Sequence, residues 1–164
     1  MKTKSYLLFL VLLMMAACQP KSESVNLADA ENAVSVELDN FHKAMMAGNV
    51  DDIMSFLDNE GLYCGTDPTE LWDKESLSKM MTESMADTLF VFDYSVDKRK
   101  IKVSIDGGTA LVLEQFTVNV ISEKIPIRLI THFVNAEDVW MMNFFSWSFV
   151  PYNEDVAKLN EVLE

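Results

Sequence analysis

Two cysteines, two histidines and half as many basic as acidic residues are all that 164 positions offer of the groups from which many functional sites are built. Cys18 ends an N-terminal apolar stretch, so Cys64 is the one thiol left for the body of the chain and no internal disulfide can form. His42 and His132 fall on separate predicted elements without cysteine or acidic residues at ligand spacing, which gives no metal motif. No cofactor is expected, and no nucleophile stands in an arrangement with a base. The shortage of Lys and Arg (13 against 26 Asp and Glu) sets the net charge at −13. Such a surface disfavours nucleic acid and anionic lipid headgroups as partners. Internal repeats and low-complexity segments are lacking too. A fold without cross-links or metals must be held by its core, and with 49% hydrophobic residues a domain of this length can build one.

At the N-terminus, Met1-Lys2-Thr3-Lys4 gives a basic start, residues 5–17 an apolar run, and Ala16-Ala17 small residues before Cys18. This is the pattern of a secretory signal, too short for a spanning helix. Leu13-Met14-Met15-Ala16-Ala17-Cys18 resembles a bacterial lipobox, with Met15 where leucine is commoner. The resemblance implies that Cys18 is lipidated and becomes the mature N-terminus, its acyl chains (palmitate among them) being the membrane contact. A lipid-anchored address in the cell envelope follows. Gln19 rather than Asp after the cysteine favours the outer membrane, facing the periplasm or the surface, under the enterobacterial sorting rule. Acyl-chain labelling of wild type and Cys18→Ala separates this from an ordinary signal peptide with an incidental cysteine. Loss of Lys2 and Lys4 with the leader leaves 11 basic residues and a net charge of −15. Residues 1–17 are read as signal peptide, 18–28 as lipidated cysteine and flexible tether, and 29–164 as one domain.

Within the domain, Val34, Leu38, Phe41 and Met45 form one helical stripe over 29–47, which Gly48 is placed to end. Asn49 caps a short helix over 50–57, with Asp51 and Asp52 in its first turn. Residues 60–65 read as a short strand, 66–70 as a turn around Pro68, and Asp73 as the cap of a helix over 74–85. Phe90, Phe92, Tyr94 and Val96 alternate with polar residues. The apolar set then moves to Ile101, Val103 and Ile105, a parity switch that predicts a bulge. Asp106-Gly107-Gly108 is a hairpin turn, followed by strands over 109–121, 125–135 and 138–150. Pro126 fits only near the start of its strand or at an edge. A last helix is expected over 154–163, with Val156, Leu159 and Leu163 on one side.

The strand over 138–150 is apolar on both faces, interrupted only by Asn143, Ser146 and Ser148. It therefore belongs in the middle of the sheet. Helices first and a long, bent sheet afterwards make an α+β layout. The expected shape is a cone: a strongly bent, mostly antiparallel sheet wrapped around the N-terminal helices, with an apolar lining suited to a small molecule.

Three stretches carry a family resemblance. They are Phe41-His42-Lys43-Ala44-Met45-Met46-Ala47-Gly48-Asn49-Val50-Asp51, then Tyr63-Cys64-Gly65-Thr66-Asp67-Pro68-Thr69-Glu70-Leu71-Trp72, and Thr131-His132-Phe133 with Trp140 and Ser148. Together they resemble the SnoaL-like branch of the nuclear-transport-factor-2-like superfamily, whose fold is also called cystatin-like and which includes polyketide cyclases and ketosteroid isomerases. The last strand departs from that pattern: relatives often carry polar residues, commonly histidine, where this chain has Phe144 and Ser146. Serine without a base cannot replace such a histidine.

Alternation along the last strand puts Trp140, Met142, Phe144, Ser146, Ser148 and Val150 on one face, which we assign to the pocket, and Met141, Asn143, Phe145, Trp147 and Phe149 on the other. Equally, Ser146 and Ser148 could bond only their neighbours. Tyr63, Trp72, Phe92 and Glu114 complete the expected ligand-binding set, although a purely structural turn held by Asp67 would account for Tyr63 and Trp72 as well. Glu114 sits in the apolar row Ala110, Val112, Phe116, Val118, where a carboxylate would have a raised pKa and could serve as acid or base; a row that faces outward at that point, or pairing with Arg128 or Lys98, is the competing reading. Asp93 is the second carboxylate candidate. His132 could be a general base, but a half-exposed position beside Arg128 is the preferred reading, and His42 is read as a solvated surface residue. The eight methionines beyond the leader are adaptable packing or a forgiving pocket.

The resulting expectation is a lipid-anchored domain that binds a small apolar molecule without transforming it. An isomerase, cyclase or hydratase using Glu114, Asp93 or His132 is the alternative. A homodimer paired through the open sheet face is the third reading, which light scattering of the form lacking residues 1–18 would decide.

Overall fold

The computed structural model describes residues 25–86 and 92–162. The signal peptide, Cys18, most of the tether, Phe90 and Leu163 lie outside that range. Helix α1 (Leu27–Ala47) starts at Asn26, whose side chain accepts from the Ala28 amide at 3.1 Å, and ends at Gly48, which takes φ 65° as a left-handed cap. Asn49 then accepts from the Asp52 amide and starts α2 (Val50–Ser55). This helix stops two residues short of the expected end, because Leu57 already opens strand β1 (Leu57–Cys64). Strand β2 (Leu71–Trp72) follows the turn, and Asp73 caps α3 (Lys74–Met85) through the Ser76 amide at 2.8 Å.

The rest is sheet: β3 (Val96–Val103), β4 (Thr109–Phe116), β5 (Ile127–Ala136) and β6 (Val139–Phe149), with a short terminal helix α4 (Val156–Val162). The order is β2-β1-β6-β5-β4-β3, antiparallel throughout except for the β1–β6 pair. The doubly apolar β6 thus has a neighbour on each side, as its composition requires. Pro126 lies just before β5, where the missing amide does no harm. The predicted parity switch in β3 is a register shift between Val96 and Lys98. Glu137 and Asp138, at φ 54° and 65°, make the tight turn between β5 and β6.

The inner face of the sheet carries Ala110, Val112, Phe116, Ile127, Leu129 and Phe133, all buried against Val34, Leu38 and Phe41 of α1. On the outer face, Leu62, Phe144, His132 and Leu111 stand in one cross-strand row, with Leu62 and Leu111 about half exposed. None of the described helices is long and apolar enough to cross a membrane. Helix α4 buries none of its residues, so Val156 and Leu159 of the terminal stripe stay exposed.

Two sequence expectations fail for one physical reason, a bulge in β6. His132 pairs with Phe144 and Phe133 with Met142, leaving Asn143 as an inserted residue. Trp140 and Met142 face inward before it, and Phe145 and Trp147 after it. Strict alternation therefore assigns the second half of the strand to the wrong side. Phe144, Ser146 and Ser148 belong to the outer face.

Candidate functional site

A cavity of about 230 Å³ lies between the inner face of the sheet and the helices. Phe41 and Met45 of α1, Ile53 of α2, and Leu77, Met80, Met81, Ser84 and Met85 of α3 supply one wall. Phe145 and Trp147 of β6, Phe92 and Ile121 supply the other, and Gly65, Thr66, Glu70 and Trp72 close it from the turn between β1 and β2. Four thioethers and five aromatic rings make the lining apolar and adaptable. Its polar atoms come from that turn and from Ser84.

The turn holds Glu70 in place. Asp67 donates its amide to Glu70 Oε2 at 2.9 Å, and the Gly65 amide reaches the Glu70 carbonyl at 3.0 Å. Asp67 is itself bonded by the Thr69 amide and hydroxyl, and those bonds hold its carboxyl below the usual range. Gly65 is required here by space: a Cβ would overlap the Glu70 carboxylate and lie 2.9 Å from its Cβ.

Behind the cavity runs a buried polar chain. Glu114 is completely buried, accepting from Arg99 Nε at 2.7 Å on one oxygen and from His42 Nε2 at 2.8 Å on the other. His42 Nδ1 accepts the Tyr94 hydroxyl at 2.6 Å. Arg99 further binds the Ser35 hydroxyl at 2.8 Å and Asp39 at 2.8 Å. Burial, and then the Glu114 charge, push the Tyr94 phenol well above its ordinary range, which keeps it a donor. The aromatic rings of Phe41, Phe116 and Phe92 pack against His42 and Tyr94, and neither polar residue lines the cavity.

Two readings are corrected by this chain. His42 is 5% exposed, because position 42 follows Leu38 by four residues and widens the apolar stripe. Its polarity is satisfied inside the core instead of by water. The partner of Glu114 is Arg99, directly opposite it on β3, and neither Arg128 nor Lys98.

The structure brings Trp72 and Phe92 to the cavity and leaves the other candidates elsewhere. Tyr63 is buried behind the wall, its hydroxyl shared between the carbonyls of Asp58 (2.8 Å) and Met142 (2.9 Å). Burial, and then Asp58, raise its pKa. Trp140 is core, while Phe144, Ser146 and Ser148 lie on the outer face. Asp93 is exposed. His132 is half-buried on the outer face, bonded through Nδ1 to Asn143 Oδ1 at 2.6 Å. Sequence reasoning missed Phe145 and Trp147, hidden by the bulge, and Glu70, whose spacing from Gly65 was a usable signal. Among the described residues no group of His, Cys, Asp and Glu could hold a metal.

The SnoaL-like domain matches residues 34–153. No curated protein sequence matches the chain. Solved structures share the fold at low identity. An NTF2-like protein of Pseudomonas putida has 12% identity and a TM-score of 0.64, over 80% of this chain and 92% of that one. A DUF3225 family protein of Pectobacterium atrosepticum has 15% identity and a TM-score of 0.64, over 79% and 100%. A cystatin-like fold protein of Burkholderia xenovorans has 11% identity and a TM-score of 0.63, over 76% and 94%.

Proposed function

Since the chain belongs to the SnoaL-like domain family, we propose that it uses the pocket of that fold to bind one small, largely apolar molecule without transforming it, from a lipid anchor at Cys18 in the cell envelope. The observation that carries the binding reading is the cavity itself, roofed by Trp72 and floored by Phe145 and Trp147. Against a catalytic use stand the positions of Glu114, Asp93 and His132. The first has both oxygens committed to Arg99 and His42, the second faces solvent, and the third is on the far side of the sheet. None of them meets a ligand in this cavity. A volume just under the usual range of roughly 300–1,000 Å³ for such sites points to a compact ligand of at most about three rings.

Titration of the protein with N-phenyl-1-naphthylamine, a neutral fluorophore, tests this. One saturable site is expected. Ser84→Trp, which plugs the cavity from an exposed position, should weaken it by roughly tenfold, about 1.4 kcal/mol. Binding that never saturates, or that ignores the plug, would remove the reading.

A second reading is favoured by the outer row of Leu62, Phe144, His132 and Leu111. It crosses four neighbouring strands, with partly exposed apolar side chains on three of them and His132 on the fourth. Two copies pairing through this face would bury it. Light scattering should then give twice the chain mass for the wild type and a single chain mass for Phe144→Glu; a monomeric wild type rejects the pairing.

A further inference from the structure

The cavity lining carries one ionisable side chain, and it is an acid. Glu70 reaches the wall from the turn, and no Lys, Arg or His is found among the described lining residues. The carboxylate is positioned by the Asp67 amide and by contact with Gly65, where only a glycine leaves it room. Beside it the lining offers the faces of Trp72, Phe92 and Trp147, and indole and phenyl rings attract a cation placed over them. The whole chain has a net charge of −13, so its long-range field attracts cations and repels anions.

Resting on the binding reading above, we propose that the ligand is a hydrophobic cation: a compact apolar body bearing an ammonium group, which pairs with Glu70 while its body fills the methionine and aromatic lining. An anionic amphiphile of the same size has no counter-charge in the cavity and has to approach an acidic protein. A neutral one gains only the burial of its body.

Three probes with one body separate these cases: 4-phenylbutylamine, 4-phenylbutan-1-ol and 4-phenylbutyrate. Each is titrated against the full chain in phospholipid nanodiscs and followed by tryptophan fluorescence, with empty nanodiscs as the blank. The amine should bind roughly tenfold more tightly than the alcohol, the scale of a partly desolvated charge and ring contact, and the acid most weakly. In Glu70→Gln, which keeps an acceptor for the Asp67 amide, the amine should fall to the level of the alcohol while the alcohol is unchanged. Gly65→Ala keeps the charge but displaces it, since the new Cβ would lie 2.8 Å from Glu70 Cδ, and should also abolish the preference. Equal binding of amine and alcohol by the wild type overturns the charge assignment and leaves the apolar site standing. An amine preference that survives Glu70→Gln overturns it as well. Failure of all three probes to bind removes the binding reading itself, and this inference with it.

Discussion

Truncation of Glu114 to alanine is expected to cost the fold about 3–5 kcal/mol, the scale of a buried ion pair broken on one side. The carboxylate is fully buried and is the junction of the chain Arg99–Glu114–His42–Tyr94. Removing it leaves Arg99 Nε without its acceptor, while Asp39 and Ser35 still hold the other two nitrogens, and frees the His42 Nε2–H inside a ring of Phe41, Phe116 and Tyr94. For a domain of this size such a loss lowers the melting temperature by roughly 10 °C or more. Urea unfolding followed by circular dichroism measures it directly. Glu114→Gln keeps the shape and one acceptor and should fall between wild type and alanine. The fourfold change Glu114→Leu, Arg99→Met, His42→Leu, Tyr94→Phe should recover much of the loss, because no member of the buried chain is then left unpaired. If alanine costs under about 1 kcal/mol, water must reach these groups and the burial assigned to them is wrong. The same variants bear on function: Glu114→Gln should bind N-phenyl-1-naphthylamine as the wild type does, which a ligand-contacting carboxylate would not allow.

That network shows which parts of the molecule were legible in the sequence. Elements were readable wherever one local period dominated, as in the stripe of α1, the caps at Asn49 and Asp73, and the central place of β6. Glu114 stood out because a charge interrupts an apolar row. Its partner was in principle available too, since counting out from the Asp106-Gly107 turn places position 99 opposite 114. Arg128 and Lys98 both lie opposite Gln115, one place along from Glu114. His42 was hidden differently. A histidine beside an apolar stripe reads as a boundary residue unless its tertiary partners are known, and those lie 52 and 72 positions away. The cavity lining failed for a third reason: alternation has no memory of an inserted residue. Asn143 is polar in an apolar strand and reads as an interruption, yet it is where the strand changes sides. Its side chain bonds His132 on the outer face, a cross-strand contact that single-strand reasoning has no access to.

The same bulge supports the second large effect, which Gly61 is expected to show. β1 loses register with β6 between Leu57 and Leu62, across from the insertion at Asn143, and the Tyr63 hydroxyl ties the two distortions together through the carbonyls of Asp58 and Met142. The Tyr63 ring lies over Gly61: a methyl there would overlap Tyr63 Oη and Cζ and press on the Asn143 carbonyl at 3.0 Å. Gly61 has no left-handed backbone to explain its presence, so the requirement is one of space alone. Gly61→Ala should therefore displace the ring, take the Tyr63 hydroxyl from the buried Met142 carbonyl and the partly buried Asp58 carbonyl, and overpack the bulge, for a loss of about 3 kcal/mol. Tyr63 also packs against Phe145, a cavity wall, with ring centroids 4.9 Å apart and the planes tilted by 42°, so the variant should weaken ligand binding along with stability. A mutant cycle isolates the cause. In a Tyr63→Leu background, which removes the overlapping atoms, adding Gly61→Ala should cost under about 1 kcal/mol, a coupling that independent sites do not show. Additive losses in chemical unfolding would mean that Gly61 and Tyr63 act separately. The bulge would then have to be held by the β5–β6 pairing alone.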